Sequence, residues 1–302
     1  MYKRFKHTLK QIFTLPQRMA RFEEHMSTVD WRLGQLEGKQ RMNGVYALRR
    51  TQDTEAPSVL NRYELSILSQ NGEDGMVFYL FSLLGTTNRW FVEFGIEDGR
   101  ECNTGNLSLN FGWQGLLIEG SADYVQRARQ YYSDRLGARR DAVRVVNAFV
   151  QPDNINPLFQ QNNVPAEIDL LSIDIDGNDY WVWQALDATS PRVVVIEYNA
   201  SLGAERSLST CYDARFDRWQ KDPSGYYHGA SLAALHKLGA QKGYALVGCD
   251  SRGVSAFFVR QDVAAGKVPA LTPQQAFFSH FQRLESLEAQ FARIEHLPFE
   301  SV

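Results

Sequence analysis

Cysteine is scarce in this 302-residue chain. Cys102, Cys211 and Cys249 stand far apart and in no metal-ligand spacing. An odd count without a framework excludes a disulfide scaffold and points to a reducing, cytoplasmic setting. No run of ~18–20 apolar residues occurs, so no membrane-spanning helix is expected. The N-terminus shows neither a signal-peptide apolar core nor a small-residue cleavage site. Internal repeats and low-complexity tracts are missing as well. Neither sign of charge dominates: the net charge of −3 argues against a general nucleic-acid binder. The pyrophosphate fingerprint G-x-G-x-x-G is also absent.

What is present is uneven. Residues 1–50 hold eleven Lys/Arg against four Asp/Glu, a net +7, which leaves −10 for the remainder. Residues 1–15 place Phe5, Leu9, Ile12 and Phe13 on one helical face among Lys3, Arg4, Lys6 and Lys10. Such a basic amphipathic helix suits an anionic membrane surface. Pro16 interrupts this helix, and around and beyond it Leu15, Met19, Phe22, Met26, Val29, Leu33 and Leu36 follow a heptad register over three repeats. That pattern predicts a short coiled coil and a homo-oligomer, against packing on the chain's own body. Phe277, Phe281, Leu284, Leu287, Phe291 and Ile294 predict a second helical stripe near the C-terminus.

Between the ends, strand and helix signals alternate. Strands are expected at Trp90–Phe94, Gly115–Glu119, Ala142–Asn147, Ile168–Ile175 and Arg192–Tyr198. Helices are expected at Thr104–Phe111, Ser121–Leu136, Ile155–Gln161 and Asp179–Leu186, with others at Glu73–Leu84 and Ala230–Lys242. This is the pattern of an α/β fold with a parallel sheet covered on both faces. GYALVGCD and VSAFFVR lie too close for a parallel crossover, so they close the sheet as an antiparallel hairpin.

The chemistry gathers at the ends of these strands. WFVEFGIEDGRECNT runs from a strand through Gly95 and Gly99 toward a helix. A glycine turn there is the usual ligand-binding place of an α/β sheet. Its acids, Glu93, Glu97, Asp98 and Glu101, would repel a pyrophosphate. They suit a cation such as S-adenosylmethionine, which carries a sulfonium and an amino group. Glu119, 24 residues past Gly95, is placed to accept from ribose hydroxyls. Asn147, or the backbone at Ala148, could read an adenine edge or cap a loop. In LLSIDIDGND, Asp174, Asp176 and Asp179 crowd the end of the fourth strand, where they could hold the donor's amino group, take a proton or ligate a cation. Glu197 and Asn199 could complete a Mg²⁺ site with Asp174 and Asp176. One of the three aspartates is expected to be purely a helix cap. His228 is a further candidate base. Arg206, Arg215 and Arg218 could bind an anionic acceptor or lie solvated.

SQNGED, FVEFGIEDGRECNT, GLLIEG, LLSIDIDGNDYWVW, VVVIEYN, the GAS of YHGASL, and GYALVG with AFFVR resemble the FkbM-like branch of class I S-adenosylmethionine-dependent methyltransferases. The resemblance covers roughly residues 63–262. It implies a Rossmann-like sheet of strand order 3-2-1-4-5-7-6. By position, Glu93, Gly95 and Gly99 match the donor loop, Glu119 the ribose acid and Asp174 the fourth-strand acid. The chain departs from the pattern at Glu97 and Asp98, where many class I members have a third glycine, and at Asp176, where the branch commonly has glutamate. The resemblance further implies O-methyl transfer to a hydroxyl of a glycan, polysaccharide or glycolipid, at the inner face of the membrane.

The expected organisation is therefore a basic helix and coiled coil (1–42), a linker (43–62), the methyltransferase domain (63–262) and a C-terminal helical extension (263–302). The expected catalytic residues are Asp174, Asp176 and His228. A coiled-coil scaffold on a non-catalytic Rossmann-like body is the alternative, and a nicotinamide dehydrogenase the more remote one.

Overall fold

Near-continuous apolar runs become the strands of one seven-stranded sheet in the computed structural model. The structure describes residues 33–48 and 58–302, with helical positions at Met19, Phe22, Met26, Ser27 and Val29. The chain divides into two units, Met1–Val45 and Tyr46–Val302. In the first, the described residues are helical, and Met19, Phe22, Met26, Leu33 and Leu36 of the heptad stripe are exposed. The basic helix expected at residues 1–15 lies outside the described residues. Among the described residues, no helix is long and apolar enough to cross a membrane.

In the second unit, β1 (Trp90–Phe94), β2 (Gln114–Glu119), β3 (Val143–Asn147), β4 (Glu167–Ile173) and β5 (Ser190–Glu197) are mutually parallel. A short β6 (Leu208–Thr210) follows. β7 (Tyr244–Cys249) and β8 (Ser255–Arg260) then form the antiparallel hairpin, with β8 beside β5. The order is β3-β2-β1-β4-β5-β8-β7. With β6 set aside, this is the expected 3-2-1-4-5-7-6 order. Successive strand residues face opposite sides, so both faces need apolar cover. Val92, Phe94, Leu171, Ile173, Val194 and Ile196 join Phe159, Trp183 and Leu235 on one side. Phe91, Leu170, Val193 and Val195 join Met76, Leu80, Ala128 and Tyr132 on the other.

The amino edge of the sheet is tied by a buried ion pair. Arg192 Nη1 lies 2.6 Å from Asp169 Oδ1 and also donates to the Gly85 carbonyl. Asp169 accepts the backbone N–H groups of Thr87, Asn88 and Arg89, which fixes the turn into β1.

The C-terminal stripe is not one helix. Only Leu287–Ala292 and a turn at Pro273–Ala276 are helical, and β9 (Phe299–Ser301) pairs antiparallel with β6. Leu284 is 94 % exposed, whereas Ile294 is buried with Leu202 and Tyr227. The spacing suited a helix, but tertiary contacts recruit the backbone instead. The Phe278 N–H donates to the Tyr198 hydroxyl, which donates to the Phe278 carbonyl.

The carboxyl edge is shaped by a close crossing of β1 and β4. Gly95 has φ +79°, and a Cβ there would stand 1.4 Å from the Asp174 carbonyl oxygen. Gly95→Ala should therefore lose more stability than the ~1–3 kcal/mol of a left-handed non-glycine residue alone. A urea midpoint close to that of the parent chain would show that the crossing can open.

Candidate functional site

Three loops converge at the carboxyl ends of β1, β2 and β4. Glu93, at the end of β1, is buried. Its carboxylate accepts from the Asn103 and Thr104 N–H groups and the Thr104 hydroxyl. Burial raises its pKa, against these hydrogen bonds. Glu93 therefore braces the Gly95–Gly99 loop from beneath, a correction to the expected direct contact with a methyl donor. Gly99 makes room for the Tyr132 ring. Gln70 of the SQNGED stretch donates to Glu101, and Asn103 donates to Ser172 on β4, so the loop is held from both sides.

Glu119 ends β2 half-buried. Its Oε2 accepts the Glu97 N–H at 2.9 Å and its Oε1 the Ser121 N–H at 2.7 Å. Each oxygen retains a lone pair, so the carboxylate is oriented yet still able to accept from a diol. Glu97 takes the left-handed conformation, φ 47°. Its pKa is raised by burial and then by Asp98, Glu119 and Asp176, so acids from all three loops share one space. Asn147 is a loop cap: its amide donates to the Glu119 and Gly120 carbonyls. The Ala148 N–H donates to the Glu119 carbonyl at 3.0 Å, which corrects the reading that this backbone group is free for an adenine edge. Phe149, exposed beside Gly120, is an aromatic face that the sequence reading passed over.

The fourth-strand acids divide by role. Asp179 ties down the loop before its helix instead of capping it, a correction to the expected cap. It is buried at the start of helix Asp179–Ala185, and it accepts from the Ile175 and Gly177 N–H groups at 2.9 Å each. Burial and then Glu197 raise its pKa to about 7. Asp174 is exposed. Desolvation by the neighbouring protein, followed by Glu197, Asp176 and Asp179, raises its pKa above the ordinary value. Asp176, left-handed at φ 58°, pairs with Arg218 Nη1 at 2.6 Å.

Behind them lies a buried polar chain. Glu197 Oε2 stands 3.4 Å from His228 Nδ1, an ion-pair distance without hydrogen-bond geometry. Arg283 Nη2 is 3.0 Å from His228 Nε2. Burial works against the Glu197 charge, but His228, Arg218 and Arg283 together bring its pKa down to about 2. Burial lowers the His228 pKa, against the pull of Glu197. The two shifts imply different charges on the ring. Arginine can only donate, so Nε2 must accept, and the ring is neutral with its proton on Nδ1. Buried, with Nε2 taken up by Arg283, His228 is a positioning group rather than a free base, which corrects its expected catalytic role. Asn199 is corrected too. Its Oδ1 accepts from the Ser201 N–H and Arg283, and its amide donates to the Tyr226 and His228 carbonyls, leaving nothing for a metal. Arg206 lies against Phe291 instead of at the site. Arg283 carried no sequence signal, since it sits 55 residues from His228 in a segment read as helix.

No protein-family model matches the chain, and no curated protein matches it. Solved structures are similar to it. The O-methyltransferase TomG of Streptomyces achromogenes, in complex with S-adenosylmethionine, is 17% identical over 73% of this chain and 96% of its own, with a TM-score of 0.42. The O-methyltransferase of Bacillus cereus, in complex with SAH, is 18% identical over 74% and 95%, TM-score 0.42. The magnesium protoporphyrin IX methyltransferase of Synechocystis PCC 6803 is 11% identical over 75% and 96%, TM-score 0.41. These values are low, and the assignment of a Rossmann-like methyltransferase sheet rests on strand order and the closing hairpin.

Proposed function

We propose that this chain is an S-adenosylmethionine-dependent O-methyltransferase acting on a hydroxyl of a glycan or glycolipid. The observation that carries the reading is the meeting of the Gly95–Gly99 loop, the oriented Glu119 and the acid Asp174 at the carboxyl ends of β1, β2 and β4. Glu119 would hold the ribose diol. Glu97 and Asp98 supply the negative surroundings that a sulfonium and an amino group require. When bound, S-adenosylmethionine supplies the electrophilic methyl group. The chain's own part is to hold donor and acceptor in near-attack geometry and to take the hydroxyl proton at Asp174. The glycan acceptor rests on the sequence resemblance alone.

Calorimetric titration with S-adenosylmethionine, with and without Mg²⁺ after chelation, tests the reading. Saturable binding is expected in both conditions. Glu119→Ala should weaken it about 10- to 100-fold, the ~1.5–3 kcal/mol of hydrogen bonds to a charged group. No binding in either condition would move the scaffold reading to first place. The exposed heptad residues of the first unit favour self-association of that helix. Sedimentation of the chain with and without residues 1–42 should show an oligomer and a monomer, and two equal masses would remove the coiled coil. Loss of membrane association on deleting residues 1–15 would support the contact with anionic lipid.

A further inference from the structure

The acid cluster contains a cation of its own. Asp174, Asp176 and Glu197 present oxygens within 4.8 Å of one another. Carboxylates so close oppose each other's ionisation, and their oxygens are what a hard divalent ion binds. Arg218 reaches this point from the segment between β5 and β7. Its Nη1 lies 2.6 Å from Asp176 Oδ1 and 3.5 Å from Glu197 Oε1. The side chain is only 14 % exposed, and its Nε donates to the Gly225 carbonyl at 2.9 Å.

The guanidinium is delivered by the backbone around it. Phe216 packs on Gly177 so closely that a Cβ there would stand 2.2 Å from the ring. Asn178 donates to the Asp213 carbonyl at 2.8 Å, and the Thr210 hydroxyl donates to the Gly177 carbonyl at 3.2 Å. The segment is thus seated on the fourth-strand loop by contacts independent of the ion pair. Glu197 is nine-tenths buried, and its Oε2 has no hydrogen-bond partner, so it keeps acceptor capacity aimed within the protein.

We propose that Arg218 is the resident counter-ion of this cluster and stands where a divalent metal would otherwise bind. It holds Asp176 and Glu197 side by side, and leaves Asp174 without a cation of its own. A planar guanidinium holds two carboxylates in fixed geometry and cannot be removed by a chelator. The proposal concerns cation binding and stands apart from the methyl-transfer reading.

The test is titration of the full chain with Mn²⁺, followed by loss of the free-ion paramagnetic signal. The parent chain should show no saturable site. Arg218→Met should open one, with a dissociation constant of about 10⁻⁴ to 10⁻³ M, the range of weaker oxygen-ligand sites. Adding Asp176→Asn to that variant should close it again. Arg218→Lys should exclude Mn²⁺ as the parent does. A saturable site in the parent chain that Asp176→Asn abolishes would overturn the proposal, and so would a folded Arg218→Met chain that binds no Mn²⁺. If Arg218→Met does not fold, the comparison of the parent chain with Asp176→Asn decides alone.

Discussion

Arg192→Met is expected to cost about 3 to 5 kcal/mol of stability, the range for breaking a buried ion pair from one side. Arg192 and Asp169 are both buried, and the guanidinium also serves the Leu84 and Gly85 carbonyls. Methionine fills most of the volume but leaves the Asp169 carboxylate without a counter-charge. Its backbone donors at Thr87, Asn88 and Arg89 remain, so the turn keeps its shape while the charge stays uncompensated. Adding Asp169→Asn should restore part of the loss, because a neutral amide needs no counter-ion. Urea midpoints at unchanged slope would report both steps. A loss below about 1 kcal/mol, the value of an exposed pair, would mean that water reaches the site.

That pair also shows where the sequence was readable. RVVVIEY announced a buried strand, yet nothing in its apolar pattern said that Arg192 would lie under the sheet against an acid from β4. The strands themselves were legible because burial on both faces forces continuous apolar runs. WFVEF gave β1 over Trp90–Phe94 without error. The hairpin followed from chain length alone. The C-terminal segment failed for the opposite reason. Its apolar spacing suits a helix, but the helix could not also deliver Arg283 to His228 and hold Phe278 on Tyr198.

The site was legible where one strand end carries its own chemistry. Gly95, Glu119 and Asp174 each end a strand or start the loop after it, so topology alone brings them together. Gly95 had a reason beyond ligand approach, since its missing Cβ admits the Asp174 carbonyl. Roles set by partners distant in sequence stayed hidden. That Asp179 would tie down the loop before the helix instead of capping it depended on backbone direction after Gly177. Whether His228 was free depended on Arg283, and whether Asn199 could ligate a metal depended on Tyr226 and Ser201. Side-chain type says what a group can do, and only tertiary partners say what capacity is left.

Asp174→Asn should leave donor binding in place and lower methyl transfer by about 10² to 10⁴, the usual contribution of a positioned base. The amide matches the carboxylate in shape but cannot take the hydroxyl proton. The pH dependence gives the sharper reading. Desolvation, then Glu197, Asp176 and Asp179, raise the Asp174 pKa, and Arg218 lowers it. Below that pKa the group carries a proton and cannot accept another. The rate should therefore fall as pH drops through a midpoint above the ordinary aspartate value of about 3.9. Asp176→Asn removes a neighbouring negative charge and should move this limb down. Arg218→Met removes a positive one and should move it up. The measurement is transfer of a labelled methyl group from S-adenosylmethionine into the acceptor fraction that the parent chain labels, as a function of pH. Opposite displacements in the two variants assign the limb to the acid between them. A fully active Asp174→Asn, or a limb that neither neighbour moves, would place the base elsewhere and leave Asp174 a donor-holding group.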